Sequence, residues 1–68
     1  MSYSNYKVCD CYEFPKETIG YADTWNQCRE IATERYLDTD GECYVVAYPL
    51  NPKTGKYVLC KGKEVTTY

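Results

Sequence analysis

The chain has 68 residues, a formal net charge of −2 and a sequence pI near 4.9. That length allows one domain, residues 1–68, and a domain so small buries only about 60% of its unfolded surface, so folds of this size often draw on disulfides, a metal or a partner for stability. The acidic balance excludes a general electrostatic affinity for phosphate backbones, and the absence of histidine removes the commonest general base and the commonest metal ligand.

The N-terminal stretch MSYSNYKVCDCYEF has no apolar run long enough for a signal peptide or a membrane span. The expectation is a soluble, cytoplasmic protein beginning at its own Met1. Within this stretch, residues 5–14 alternate and are rich in aromatic and branched side chains, which predicts a first strand. PKETIGY, residues 15–21, carries Pro15 and Gly20 and reads as a connection. Thr24 followed by Gln27 fits a capping box, so a helix is predicted from about Trp25 to Leu37, stopped by Asp38, Thr39, Asp40 and Gly41. CYVVAYPL, residues 43–50, is the second strand and contains no charged residue. NPKTG, residues 51–55, is a hairpin turn. KYVLCKG, residues 56–62, is the third strand, and EVTTY is a tail whose pairing the sequence leaves open. The predicted fold is α+β in the order β-α-β-β, one helix packed on a three-stranded sheet.

A four-residue loop at Pro52–Gly55 sets Asn51 against Lys56 and places Leu50, Tyr48 and Val46 opposite Tyr57, Leu59 and Lys61. Side chains alternate along a strand, so Tyr44, Val46, Tyr48 and Leu50 then share a face with Tyr57 and Leu59. Cys43, Val45 and Ala47 share the other with Val58 and Cys60. On the first strand, Cys9 and Cys11 alternate against Val8, Asp10, Tyr12 and Phe14. The sheet divides into a face of small residues and a face dominated by tyrosine. On the helical wheel Trp25, Cys28, Ala32 and Tyr36 cluster, flanked by Ala22 and Ile31, and these bulky rings should interlock with the small face. Asp10 and Lys61 fall on the tyrosine face, where a covered core would not readily accept them. Packing therefore places the tyrosine face outward. There it would meet a partner, or a second copy in a homodimer; solvated idle tyrosines and a helix-covered core are the alternatives.

Five cysteines in 68 residues is an odd count. A reducing cytosol makes them small buried hydrophobes ahead of disulfides. Only Cys9 and Cys11 are close in sequence, and no second pair follows, which is poor spacing for zinc. No metal or cofactor is expected. No phosphate-binding glycine loop and no recognisable carboxylate pair occur, and the chain is too short to wall a deep pocket, so no enzyme is expected.

Binding readings rest on two sets of residues. One is the tyrosine face, with Tyr12, Tyr44, Tyr48, Tyr57 and Leu59 as aromatic and aliphatic anchors. The other is an acidic helix ridge of Glu30, Glu34 and Asp38, continued by Asp23, Asp40 and Glu42, with only Arg29 and Arg35 nearby. Such a ridge would steer the protein toward a basic surface and could occupy a groove meant for nucleic acid; the bland alternative is a solvated helix face. A stacking platform for single-stranded RNA could use Tyr44, Tyr48 and Tyr57 with Lys53, Lys56, Lys61 and Lys63, half of the eight basic residues. The acidic helix argues against direct nucleic-acid binding, and lysines on a hairpin commonly protect an edge strand from aggregation.

YADTWNQCREIATERY, residues 21–36, resembles the helix entry of short RNA-polymerase inhibitors made by virulent bacteriophages. Tyr21, Ala22, Thr24, Glu30, Ala32 and Tyr36 carry the resemblance, over about a quarter of the chain. It implies a β-α-β-β fold of this length that inhibits by binding. That family grips polymerase partly through arginines on the strand after the helix, and CYVVAYPL has none. Anti-CRISPR and anti-restriction proteins share the same compact, acidic, non-enzymatic profile. The expectation is a phage or mobile-element inhibitor that docks on a host protein or ribonucleoprotein complex and blocks it sterically. The alternative is a small nucleic-acid-binding or transcription-regulating module using the tyrosine face.

Overall fold

The computed structural model describes residues 4–67. Met1, the expected start, and Tyr68, the last residue of the tail, lie outside them. The elements are β1 (Tyr6–Asp10), β2 (Glu17–Ala22), α1 (Trp25–Thr39), β3 (Val45–Asn51), β4 (Lys56–Tyr57), a 3-10 turn (Leu59–Lys61) and β5 (Lys63–Glu64). One helix packs on an antiparallel sheet in the order β2-β1-β3-β4, with β5 also paired to β3. The α+β class stands, and the sheet has five strands where three were predicted.

The first extra strand, β2, lies in the stretch that reads as a connection. β2 pairs with β1 through Lys7↔Tyr21, Val8↔Gly20 and Cys9↔Thr18, and a bulge between Val8 and Cys9 absorbs Ile19. Gly20 is not a turn residue: a Cβ there would stand 3.1 Å from Ile31 Cδ1, so its bareness admits the helix. β1 ends at Asp10 rather than running to Phe14, because the Asp10 carboxylate accepts the Tyr12 N–H at 3.0 Å and turns the chain.

α1 starts as predicted. Thr24 Oγ1 accepts the Gln27 N–H at 3.2 Å, and Gln27 Oε1 accepts the Thr24 N–H at 3.3 Å. It ends two residues later than expected, at Thr39, where Asp40 takes φ 57° and the Gly41 N–H reaches back to the Tyr36 carbonyl at 2.8 Å.

The hairpin register holds at Leu50↔Tyr57 and Asn51↔Lys56. Beyond it the predicted third strand breaks. The Tyr48–Leu59 and Val46–Lys61 pairs do not form; Val46 opposes Glu64 instead, three positions later, and that offset is the length of the 3-10 turn. The tail then joins the core. The Val65 N–H donates to the Val45 carbonyl at 2.8 Å, and the Val65 side chain is buried.

The helix covers the small-residue face, as packing required: Val8, Ala22, Cys28, Ala32, Val45, Ala47 and Val65 form the main cluster. Residues of β1 are on the opposite faces from those expected. Because Val8 opposes Ala47 and Cys9 opposes Val46, Val8 and Asp10 point to the helix, and Cys9 joins Tyr48 on the other side with Cys11 against it. That second side is not an open platform. Tyr21 on β2 and Tyr57 on β4, at opposite ends of the strand order, bring their ring centroids within 5.9 Å, so the sheet curls around Cys9, Val46 and Tyr48.

Candidate functional site

The curl divides the predicted tyrosine face. Tyr48 is only 7% exposed. Lys16 Nζ lies 4.5 Å above the centre of its ring and 3.4 Å from its hydroxyl, and Cys11 Sγ is 3.6 Å from the same oxygen. The contact with Cys11, together with burial, holds the Tyr48 phenol above the ordinary tyrosine range despite the opposing pull of Lys16. Tyr48 is therefore part of the fold, a correction to its expected place on an open surface. Tyr57 is half-buried beside Tyr21, and its hydroxyl donates to the Ser4 carbonyl at 2.9 Å. Leu59, in the 3-10 turn, is exposed. Tyr12 and Tyr44 are also exposed and come together differently, since the Cys11 N–H donates to the Tyr44 carbonyl at 2.7 Å at the end of the sheet where β1 finishes and β3 begins.

That end is acidic. The antiparallel pairing brings the 11–16 loop beside the C-terminal half of α1, and Tyr12, Glu13, Glu17, Arg35 and Glu42 border a cleft of about 330 Å³ there. Its organiser is Asp10, 6% exposed, whose carboxylate accepts the Tyr12 and Tyr44 N–H groups at 3.0 Å each and Arg35 Nε at 2.8 Å. Arg35 reaches on to Glu17 at 2.8 Å. Burial by itself would raise the Asp10 pKa; the Tyr44 amide, Arg35 and the Tyr12 amide overcome it and hold the group below the usual carboxylate value.

Glu30, Glu34 and Asp38 are all exposed on α1, as the helical spacing predicted. Among the described residues none of the three takes part in an ion pair, because Arg35 is committed to Asp10 and Glu17 while Arg29 reaches the carbonyls of Thr66 and Thr67. No basic residue lies in the last turn of the helix, whose C-terminus adds its own partial negative charge. Glu34 and Asp38 thus lie on the half of α1 that borders the Tyr12 cleft, while Glu30 lies nearer the helix start. Sequence reasoning missed Asp10, Glu17, Arg35 and Phe14 there, the last fully exposed at 98%. The available signal was a lone carboxylate inside an apolar alternation, assigned to the wrong face.

All five cysteines are free thiols; Cys9 and Cys28 are buried, Cys11 and Cys43 half-buried. Cys60 is exposed, against the expectation of a core position, because the 3-10 turn carries it out of the sheet. Burial raises the Cys28 thiol pKa, which disfavours the reactive thiolate. Among the described residues no group of three or more Cys, Asp or Glu is placed to hold a metal ion, and no helix is long and apolar enough to cross a membrane. Comparison with protein-family models, curated proteins and solved structures finds no match for this chain.

Proposed function

We propose that this chain is a non-enzymatic inhibitor, encoded by a phage or mobile element, that docks on a host protein or ribonucleoprotein complex in the cytoplasm and blocks it sterically. RNA polymerase, CRISPR and restriction machinery are the target classes. The observation that carries the reading is the acidic end of the molecule, where exposed Tyr12 stands with Glu13, Glu17 and Glu42 around the cleft, Tyr44 is tied to the neighbouring Cys11 backbone, and the adjoining C-terminal half of α1 carries exposed, unpaired Glu34 and Asp38. Negative charge of this density accelerates encounter with a basic groove built for nucleic acid. Exposed aromatic rings beside it supply the desolvated contacts that slow release. Tyr57 and Leu59 lie outside this end and contribute less in this docking mode. The alternative, a nucleic-acid module stacking bases on Tyr44, Tyr48 and Tyr57, loses its central ring to the Lys16 cover.

Affinity capture from bacterial lysate tests the reading, with tagged wild type beside Glu34→Lys/Asp38→Lys and Tyr12→Ala/Tyr44→Ala. Wild type should retain a nucleic-acid-processing complex in a salt-sensitive manner, and both double variants should lose it while keeping their circular dichroism. Retention by both variants at wild-type levels, or recovery of no specific complex by wild type, would refute it.

A further inference from the structure

A second surface lies away from the acidic end. The helix does not cover the whole of its side of the sheet. Between the start of α1 and the β3–β5 edge runs a hollow of about 450 Å³, floored by Ala47 and Pro49, walled by Tyr6 and Trp25, and rimmed by Lys61 and Lys63. That volume lies within the range of small-ligand and peptide-side-chain pockets. Tyr6 and Trp25 meet edge to face at 5.8 Å and 71°, which fixes the aromatic wall. Lys63 is placed by β5 and Lys61 by the 3-10 turn before it. One step beyond the Ala47↔Lys63 pair, Gly62 lies against Tyr48, and a Cβ there would fall 2.5 Å from the Tyr48 ring and 2.9 Å from Val46. The bare backbone packs on the curled side, so β5 keeps its register and Lys63 opposes Ala47 on the helix side.

Among the described residues neither Lys61 nor Lys63 is in an ion pair. Two unpaired ammonium groups beside an apolar, aromatic floor and wall are complementary to an anion with a hydrophobic body. A second hollow of about 370 Å³ shares Tyr6 and Pro49 with the first and is bordered beyond them by Asn5, Asp23 and Thr24. The trough is therefore cationic at one end and carries a carboxylate at the other. A nucleic-acid strand, with a phosphate at every step, would bring like charge against Asp23. A peptide can place its carboxylates at the lysines and neutral backbone beyond them.

We propose that this trough is a docking site for an acidic peptide segment of a partner protein, one with a hydrophobic side chain next to its carboxylates. The hydrophobic side chain lies on Pro49 and Ala47 against Trp25, and the carboxylates pair with Lys61 and Lys63. The site shares no residue with the acidic end and does not depend on the inhibitor reading.

Trp25 is the single tryptophan of the chain, so its fluorescence reports the trough directly. The probes are a capped hexapeptide alternating leucine and glutamate, the same peptide with glutamine for glutamate, and an oligothymidylate. The acidic peptide should shift Trp25 emission saturably. The glutamine peptide should bind about tenfold more weakly, and Lys61→Gln/Lys63→Gln should weaken the acidic peptide by about tenfold or more, as loss of close charge pairs does. Both lysines are exposed, and unchanged circular dichroism of the variant would certify its fold. Absence of a saturable shift, equal binding of the glutamine peptide, an unweakened lysine variant, or tighter binding of oligothymidylate would each overturn the proposal.

Discussion

The two sides of β3 are both buried, by different means. On one side small residues, Val45 and Ala47, pack in one cluster with Cys28 and Ala32 of the helix. On the other a large residue, Tyr48, is covered by pieces: a lysine side chain from a loop, a glycine backbone and the curl of the sheet itself. This is why residues 43–50 have no polar side. A strand can lack one without a partner when its amphipathic ring finds amphipathic cover, since tyrosine and lysine each bury an apolar body and leave a polar tip near water.

The sharpest break of this comparison is Tyr48→Ala beside Tyr44→Ala. A covered ring leaves a cavity, so Tyr48→Ala should cost about 3–5 kcal/mol, while the half-exposed Tyr44 should cost under about 1 kcal/mol. In a domain this small the first change should leave most molecules unfolded at room temperature. Urea melts of both variants check it. Equal melts would mean that the curled side contributes no core.

Gly62→Ala should come next. The added methyl meets Tyr48 and Val46 well inside van der Waals distance, and Tyr48 is already held by Lys16 and Cys11. Overpacking of this kind costs about 1–3 kcal/mol, and the contact geometry places the cost in the upper half of that range. Gly55→Ala is a useful companion, since it has open space around it and only its φ of 70° opposes the change. A Gly62 variant as stable as wild type would show that the β5 register is not locked by the tyrosine.

What was legible in the sequence was local. Thr24 and Gln27 announce the helix because a capping box is closed within four residues, and Asn51 to Lys56 set their own hairpin. The ridge of Glu30, Glu34 and Asp38 follows from helical spacing alone. What was not legible depends on residues far apart. Gly20 reads as a breaker until Ile31 is seen to need its space. The break at Leu59 leaves no local signal, because Tyr57, Val58, Leu59 and Cys60 form a continuous apolar run that reads as an unbroken strand. Asp10 shows its partner only when Arg35, twenty-five positions away, is brought over it. The cover on Tyr48 comes from Lys16 and Gly62 on two different segments, and neither residue type advertises it.

The helix side has its own polar anchor, and Asp10→Asn tests it. Asparagine can still accept the Tyr12 and Tyr44 N–H groups but loses the charged bond to Arg35, which is 29% exposed; the cost at neutral pH should be about 1–2 kcal/mol. The pH dependence gives the sign. With its pKa depressed in the fold, Asp10 binds its proton more tightly in the unfolded chain. Its stabilisation is then fully present above the ordinary carboxylate value of about 3.9 and is lost as pH falls through the lower folded value. Urea midpoints taken from about pH 6 down to about pH 2 should fall less steeply for the asparagine variant. Parallel curves would remove Asp10 from the acid sensitivity of the fold.

The smallest effect separates the two ways a lysine can cover a ring. Lys16 is an exposed loop residue, yet its ammonium lies 4.5 Å over the centre of the Tyr48 ring. Lys16→Met keeps most of the apolar stem and removes the charge; Lys16→Ala removes both. An exposed cation–π contact is worth about 0.5–1 kcal/mol, and the methylenes add apolar burial at about 0.8 kcal/mol for each one fully covered. If the stem is the lid, Met should fall within about 0.5 kcal/mol of wild type and Ala should lose about 1 kcal/mol or more. If the charge is the lid, the two variants should melt together, below wild type. The tyrosine hydroxyl supplies a second readout. Lys16 pulls the Tyr48 phenol downward, so losing the ammonium should raise that phenol further, seen as a delayed alkaline step in the difference spectrum against Tyr48→Phe. Because the folded phenol is already raised, its contribution to stability is complete below the ordinary tyrosine value of about 10 and disappears as pH climbs through the folded one. A Met variant that leaves this step unmoved would place the ammonium in solvent rather than over the ring, and the curled side would then be closed by the sheet and Gly62 alone.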